Sequence, residues 1–326
     1  MNRRDTVIGL LALGIVPFTL KAQPRVARIG ILASYPPSNP GAAPAWKAFY
    51  GELKARGWVE GHNLVVEGRY SEGRAEKDPV FAGELAEARV ELIVAGNSRA
   101  VDAVLMATRT IPIVMTNVSH PVEAGYVASL ARPGGNITGV TNQLSDLMAK
   151  HVELIRSIRQ DMNKLGVLWS PNNTGSALAF KDMQAVARGL GIALVSLPVD
   201  TPTDIGPALD AARRERVQAL HVHPTGAISR GFRQISAWAS EHTVMTVSGY
   251  NGFTRDGFLL SYGADFADIW RIAASYVDRI LRGAKAADLP VQQPTKFEMV
   301  VNLKIAAALG LKIPQSVLIR ADQVIE

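Results

Sequence analysis

The feature that most constrains the fold of this chain is an alternation of short apolar strands and amphipathic helices that occurs twice. Strands of the first series are expected at 28–33, 64–67, 91–95, 113–116 and 137–140, with helices at 44–56, 79–88 and 98–107. Strands of the second series are expected at 164–169, 193–198, 219–223, 245–248 and 258–262, with helices at 147–159, 175–189, 203–214 and 229–240. Apolar strands separated by such helices are typical of parallel sheets covered on both faces. The sequence therefore predicts an α/β fold with two similar lobes.

The chain after residue 262 is too short for a third sheet and must add to the two lobes. One helix is expected at 266–280, and only about 43 residues follow Gly283. We therefore expect the chain to cross between the lobes near Asn142, Gly263 and Pro290. The expected boundaries are 23–142 with 264–290 for the N-terminal lobe, and 143–263 with 291–326 for the C-terminal lobe. Three crossings make a hinge, and the adjoining cleft is a natural site for a small molecule.

The amino terminus has the features of an export signal. Arg3 and Arg4 precede an uncharged apolar stretch from Val7 to Leu20, which is too short to span a bilayer comfortably. We expect residues 1–22 to be a signal peptide that is cleaved after Ala22, which places the mature protein in the periplasm. The two arginines leave general secretion and twin-arginine export both open.

Composition excludes several classes of protein. The chain has no cysteine, which excludes disulfide scaffolds, thiolate zinc sites and a cysteine nucleophile. Its formal charge of +6 is spread along the chain without aromatic interleaving, so no nucleic-acid partner is expected. His221 and His223 lie two residues apart, but no third ligand follows at a metal-site spacing, so no metal is expected. The sequence has neither a G-x-S-x-G elbow nor a Walker motif, and we expect no cofactor and no catalysis.

Several segments resemble one group of ABC-transporter substrate-binding proteins. They are GWVEGHNL at 57–64, RYSEG at 69–73, SLARPGGNITG at 129–139, QPTKFE at 293–298, 302–311 and RADQVIE at 320–326. The resemblance implies a type I periplasmic-binding-protein architecture, in which two flavodoxin-like lobes joined by a multi-strand hinge close on a ligand. It also implies delivery of that ligand to an inner-membrane ABC permease, and the better-known members bind tryptophan and related aromatic amino acids. One departure is His120, which stands in a His-Pro-Val segment where the family usually has Asp-Pro-Val.

Candidate ligand-binding residues follow from the geometry of parallel sheets, which bind ligands at the carboxyl ends of their strands. The candidates in the N-terminal lobe are Ser34, Tyr35, Asn97, Ser98, Thr116 and Asn117. Those in the C-terminal lobe are Ser170, Asn172, Asn173, His223, Thr225 and Tyr250, with Asp265 just after the second crossing.

Four of these candidates have specific expected roles, each with a structural alternative. Ser98 can cap the following helix and leave backbone N–H groups for a ligand carboxylate, or it can be a cap alone. Tyr35 and Tyr250 can sandwich a flat apolar group, or they can pack the lobes. Asp265 can accept a ligand ammonium group, or it can cap a helix.

The sequence thus leads to three hypotheses of different classes. The first is a periplasmic solute-binding protein of an ABC importer, expected to be a monomer, that captures a small polar ligand such as an amino acid. The second is an extracytoplasmic ligand sensor of the same fold. The third is a secreted α/β enzyme.

Overall fold

The structure is a computed structural model that describes residues 25–326, and the predicted signal peptide therefore lies outside the described residues. Five parallel strands form the sheet of the N-terminal lobe in the order β2-β1-β3-β4-β5. The strands are β1 (Ala27–Ala33), β2 (Leu64–Tyr70), β3 (Leu92–Ala95), β4 (Ile113–Val118) and β5 (Ile137–Thr141). Helices α1 (Ala43–Ala55), α2 (Asp78–Glu87) and α3 (Ser98–Ala107) connect them. The apolar runs that predict strands in the sequence are therefore strands of this sheet in the structure.

Seven strands form the sheet of the C-terminal lobe, in the order β12-β11-β10-β9-β8-β6-β7. The strands are β6 (Lys164–Trp169), β7 (Ala193–Pro198), β8 (Ala219–Val222), β9 (Met245–Ser248), β10 (Leu260–Ala264), β11 (Phe297–Asn302) and β12 (Gln323–Ile325). The helices of this lobe are α4 (Met148–Ile158), α5 (Thr174–Gly189), α6 (Ile205–Arg214), α7 (Gly226–Arg230), α8 (Phe232–Glu241), α9 (Asn251–Arg255), α11 (Leu303–Ala308) and α12 (Gln315–Leu318). Strands β6 to β10 repeat the strand order of the N-terminal lobe.

The C-terminal sheet departs from the expected parallel arrangement at two strands, β11 and β12, which run opposite to the other five. Strand β11 pairs antiparallel with β10 and parallel with β12. The reason lies in the path of the chain, because β10 ends at the cleft, the chain then enters the N-terminal lobe, and it returns at the same edge. A strand that starts from that edge must run opposite to β10. The two sheets consequently differ in size, which the expectation of similar lobes did not include.

The helix predicted at 229–240 is two helices, α7 and α8, which meet at Gly231. A Cβ atom at Gly231 would lie 1.9 Å from Cδ1 of Ile205 in α6. The junction therefore packs directly against the side chain of Ile205, which would have to move to admit a larger residue. This contact joins segments far apart in sequence, so the local pattern could not predict the break.

The long helix α10 (Phe266–Leu281) packs on the N-terminal lobe, although it directly follows a strand of the C-terminal sheet. Trp270 packs against Trp46 of α1 with ring centroids 4.5 Å apart, and it also contacts Phe49. Nε1 of Trp58 donates a hydrogen bond of 2.8 Å to Asp278 near the end of α10. Burial of these large aromatic surfaces fixes the helix on this lobe.

Three segments connect the lobes at the carboxyl edges of the sheets. The first follows Thr141 at the end of β5, and the second follows Ala264 at the end of β10. The third follows Gln292, which still pairs with Val140 of the N-terminal lobe, so this crossing lies slightly after the expected position at Pro290. In the part of the chain that the structure describes, no helix is long and apolar enough to cross a membrane.

Candidate functional site

The carboxyl edges of the two sheets face each other across the hinge, and their loops form the candidate site. In each lobe the strand order changes direction between the first and third strands of the sheet, at β1/β3 and at β6/β8. Ligands of open parallel sheets bind in the crevice at such a point. The helices α3 and α5 begin there, so their N-terminal N–H groups point towards the cleft.

The residue that caps α3 is Asn97, and the expectation that Ser98 does so is wrong. Oδ1 of Asn97 accepts the backbone N–H of Ala100 at 3.0 Å, and its Nδ2 donates to Oγ of Ser34 at 3.0 Å. Asparagine takes the cap because its amide both closes the helix end and ties it to the loop after β1. Ser98 is the first residue of the helix and is buried.

The end of β4 brings Thr116 and Asn117 to the same edge. Thr116 is fully buried, and Asn117 adopts the left-handed conformation with φ of 53°, which asparagine tolerates better than most residues. Nδ2 of Asn117 donates to the carbonyl oxygen of Gly96 at 3.2 Å. Oδ1 of Asn117 is buried and has no partner among the described residues, so it can accept a hydrogen bond from a ligand.

The loops of the C-terminal lobe use most of their polar side chains locally. Ser170 and Asn172 both donate to the carboxylate of Asp200, at 2.5 and 2.8 Å, and Asn172 is exposed. Asn173 caps α5 by accepting from the N–H of Ser176 at 2.8 Å, and Thr225 caps the short helix α7. These four candidates therefore have clear structural roles in the described state.

Tyr35 and Tyr250 each reach from one lobe to a backbone carbonyl of the other. The hydroxyl of Tyr250 donates to Gly41 at 3.0 Å, and that of Tyr35 lies 3.5 Å from the carbonyl oxygen of Gly226. Tyr250 also packs edge-on against Phe266, with ring centroids 5.0 Å apart. Burial raises the pKa of Tyr35 to about 12 and also raises the pKa of Tyr250, so both hydroxyls stay protonated donors. In this state the two rings pack the lobes together.

Asp265 has the capping role that was its structural alternative. Its Oδ1 accepts the backbone N–H groups of Ala267 and Asp268 at 2.9 and 3.3 Å, which closes the start of α10. The second carboxylate oxygen makes none of these capping bonds. It can therefore accept a hydrogen bond from a ligand while the cap stays in place.

A small cavity of about 10 Å³ lies between the lobes beside the hinge. Its lining is mainly apolar and consists of Asn142, Leu144, Leu147, Pro224, Gly249, Gly263, Ala264 and Phe266. The cavity is at the limit of holding one water molecule, so an amino acid can enter only when the lobes separate. The apolar members were missed by sequence reasoning, since nothing in a lone leucine or phenylalanine near a crossing distinguishes it from a core residue.

Two hydrogen-bonded pairs between side chains join the lobes along α5. Nε2 of His120 donates to Oδ2 of Asp182 at 2.6 Å, and Oγ1 of Thr174 donates to Oδ2 of Asp102 at 2.9 Å. Asp102 also accepts from the hydroxyl of Tyr126 at 2.6 Å. His120, the residue that departs from the family pattern, thus has a carboxylate partner in the opposite lobe.

Glycines bring the two backbones together at the same faces. A Cβ atom at Gly175 would lie 2.4 Å from Oγ of Ser98, and one at Gly73 would lie 2.5 Å from the carbonyl oxygen of Gly226. A larger side chain at either position would therefore hold the lobes apart. The described state is one in which the two lobes are in contact.

Three buried histidines lie under the cleft in the C-terminal lobe. Nε2 of His151 lies 2.6 Å from the carbonyl oxygen of Tyr262, and Nδ1 of His151 lies 2.8 Å from Nε2 of His221. The rings of His221 and His223 are 5.1 Å apart, because residues two apart in a strand share a face. Burial lowers the pKa of His151 to about 4 and that of His223 to about 3, and it lowers the pKa of His221 well below its usual range. No group of side chains in residues 25–326 is arranged to hold a metal ion.

Comparisons with known proteins identify the family. The model of the ABC transporter substrate binding protein family matches residues 31–325. The chain belongs to this family of ABC-transporter substrate-binding proteins. A tyrosine-binding protein of Clostridioides difficile is 25% identical over 274 residues, covering 84% of this chain and 79% of that protein.

Solved structures agree with this assignment. The ABC domain of Streptococcus pneumonia in complex with L-Trp superposes with a TM-score of 0.84 and 27% identity, covering 92% of this chain and 100% of that one. A conserved domain protein of Vibrio cholerae gives a TM-score of 0.85 and 25% identity with the same coverage. The predicted two-lobed periplasmic-binding-protein fold is therefore confirmed, and so is the predicted role as a substrate-binding protein.

Proposed function

We propose that this substrate-binding protein captures a zwitterionic amino acid with an aromatic side chain between its lobes and presents it to an ABC permease. The observation that carries the proposal is the composition of the cleft. Apolar side chains line the cavity at the hinge, while the N-terminal end of α3 and the buried Oδ1 of Asn117 lie at the carboxyl edge of the N-terminal sheet. One related protein is named for tyrosine and another is solved with L-Trp, which supports an aromatic ligand.

Each part of such a ligand has a complementary group in the cleft. The backbone N–H groups at the start of α3, beside Ser98, can bind the carboxylate, because the helix end carries partial positive charge. The ammonium group can donate to Oδ1 of Asn117 and to the second oxygen of Asp265. The side chain then contacts Leu144, Leu147 and Phe266. These assignments use three of the residues predicted from sequence, Ser98, Asn117 and Asp265.

The proposed role also requires that the protein is exported from the cytoplasm. A protein that delivers a ligand to an inner-membrane permease must lie outside the cytoplasm, and the apolar segment at 7–20 has the length of an export signal. We expect the periplasmic form to start at Gln23, and N-terminal sequencing of that fraction checks it. A periplasmic fraction that still begins at Met1 would contradict cleavage after Ala22.

Calorimetric titration with the twenty L-amino acids tests the ligand class. We expect micromolar or tighter binding of at least one aromatic amino acid, without turnover, and a negative heat-capacity change from apolar burial. Binding of no amino acid would reject the proposal. Turnover of a bound ligand would instead support the hypothesis of a secreted enzyme.

The substitution Asp265→Ala separates the two roles of that side chain. Loss of the cap alone should lower the free energy of unfolding by about 1 kcal/mol and leave the affinity nearly unchanged. Loss of an ammonium contact as well should weaken amino-acid binding about tenfold or more. Urea unfolding and calorimetry on the same variant, with Asp210→Ala on an exposed helix face as control, distinguish the outcomes.

A further inference from the structure

Two buried nitrogens on strand β8 and its end have no hydrogen-bonding partner. Nδ1 of His221 and Nε2 of His223 are both shielded from solvent, and no described residue reaches either atom. The rings lie 5.1 Å apart and nearly perpendicular. Burying a polar atom without a hydrogen-bonding partner costs free energy. Two such nitrogens on neighbouring rings therefore indicate that a group from outside the fold binds them.

The protonation of His221 follows from its neighbours. The carbonyl oxygen of Tyr262 can only accept, so Nε2 of His151 carries a proton and donates to it at 2.6 Å. His151 is neutral, since burial lowers its pKa to about 4, and its Nδ1 is therefore an acceptor. Nε2 of His221 donates to that acceptor at 2.8 Å. The free Nδ1 of His221 is consequently an acceptor that requires a donor.

The contact with Ser176 makes the free nitrogen of His223 a donor, whereas the free nitrogen of His221 is an acceptor. Oγ of Ser176 accepts the backbone N–H of Ser170 at 2.9 Å and lies 3.2 Å from Nδ1 of His223. When the hydroxyl hydrogen points to Nδ1, the hydroxyl of Ser176 both accepts from Ser170 and donates to His223. In that arrangement Nε2 of His223 carries the proton and is a free donor. The two orphan nitrogens thus form one acceptor and one donor.

The group of His151, His221 and His223 adjoins residues that line the cavity at the hinge. Pro224, which follows His223, lines the cavity, and so does Gly249, where a Cβ atom would lie 3.8 Å from Cε1 of His151. The leucine and phenylalanine wall described above faces the same space. A ligand side chain that enters this space from the N-terminal lobe is therefore separated from the histidines only by the residues that line the cavity.

We propose that His221 and His223 form a hydroxyl-binding subsite, so that the preferred ligand is an amino acid with an aromatic side chain that ends in a hydroxyl. The inference rests on the proposed function and specifies its ligand. A phenolic hydroxyl can donate to Nδ1 of His221 and accept from Nε2 of His223. An indole N–H can only donate and leaves Nε2 of His223 unpaired, whereas a phenyl ring can do neither and leaves both nitrogens unpaired. A site built for a hydroxyl group rejects the analogue that lacks one.

The first test is calorimetric titration of the wild type with L-tyrosine, L-phenylalanine and L-tryptophan. We expect L-tyrosine to bind at least about 10-fold more tightly than L-phenylalanine, because L-phenylalanine leaves both buried nitrogens unpaired. Equal affinities, or a preference for L-phenylalanine, would overturn the inference and leave the proposed function intact. Binding of no aromatic amino acid would remove both together.

Variants then assign the effect to the histidines. His223→Phe should abolish the preference for L-tyrosine, whereas His242→Phe, at a partly exposed histidine of the same lobe, should retain it. If His223→Phe fails to fold by circular dichroism, Ser176→Ala tests the same point without added bulk, because it frees the ring of His223 and should reduce the preference. Retention of the full preference in a folded His223 or Ser176 variant would show that the two nitrogens hold a structural water only, and would overturn the inference.

Discussion

Asp182→Ala is expected to weaken ligand binding about tenfold while leaving the separate lobes folded. The substitution removes the partner of Nε2 of His120, which is only 6% exposed, and leaves a buried donor unpaired in the closed state. In an open state the same imidazole is free to bond water, so the cost falls on closure alone. A ligand held between two lobes loses affinity by whatever the closed state loses.

His120→Asp should have a larger effect than Asp182→Ala, because it turns a second carboxylate towards Asp182 in a partly buried contact. Calorimetry and stopped-flow dissociation measure both variants, and most of the change is expected in the dissociation rate. Asp210→Ala, the same substitution on an exposed face of α6, should bind like the wild type. Unchanged affinity in both cleft variants would show that this pair does not contribute to closure.

Acidification is expected to destabilise the protein strongly between pH 6.5 and pH 4. His151, His221 and His223 have pKa values below the unfolded value of about 6.5, chiefly because burial disfavours their charged forms. Below pH 6.5 the unfolded chain therefore binds more protons than the folded one, and the free energy of unfolding falls with pH. Each such proton costs about 1.4 kcal/mol per pH unit, so the three rings together cost several kcal/mol.

Urea unfolding at steps from pH 7.5 to pH 4 measures this slope. His223→Asn should make it shallower by about one proton, while His62→Asn, at an exposed histidine, should leave it unchanged. Carboxylates also contribute to acid unfolding, but they contribute equally to all three proteins. Identical slopes for wild type and His223→Asn would contradict a neutral, buried His223.

Strands and helices could be predicted from sequence because their patterns are local. Most predicted elements occur within a few residues of their expected ends, since each apolar run fills a buried strand and each amphipathic stretch covers it. The failures have long-range causes. The break at Gly231 depends on a contact with Ile205, and the direction of β11 depends on the path of the chain through the other lobe.

The candidate site was predictable only in part, because contacts between residues far apart in sequence leave no local pattern. Strand ends meet at one edge of a sheet, so the positions of Asn97, Asn117 and His223 beside the cleft follow from topology. The partners of those side chains do not. His151 lies in the middle of an amphipathic helix, and no local pattern connects it with His221, 70 residues away. The pairing of His120 with Asp182 likewise becomes visible only when the lobes are placed together.

The central claim is that the two lobes close on a small ligand, and a distance between the lobes tests it most directly. Since the chain has no cysteine, spin labels at Glu76→Cys and Gln234→Cys, two exposed positions on opposite lobes, attach nowhere else. The probe ligand is the amino acid that calorimetry finds to bind most tightly. We predict that saturation with this amino acid moves the distance distribution to a shorter separation, and that its removal restores the longer component. A distribution that stays the same with and without bound ligand would contradict the account.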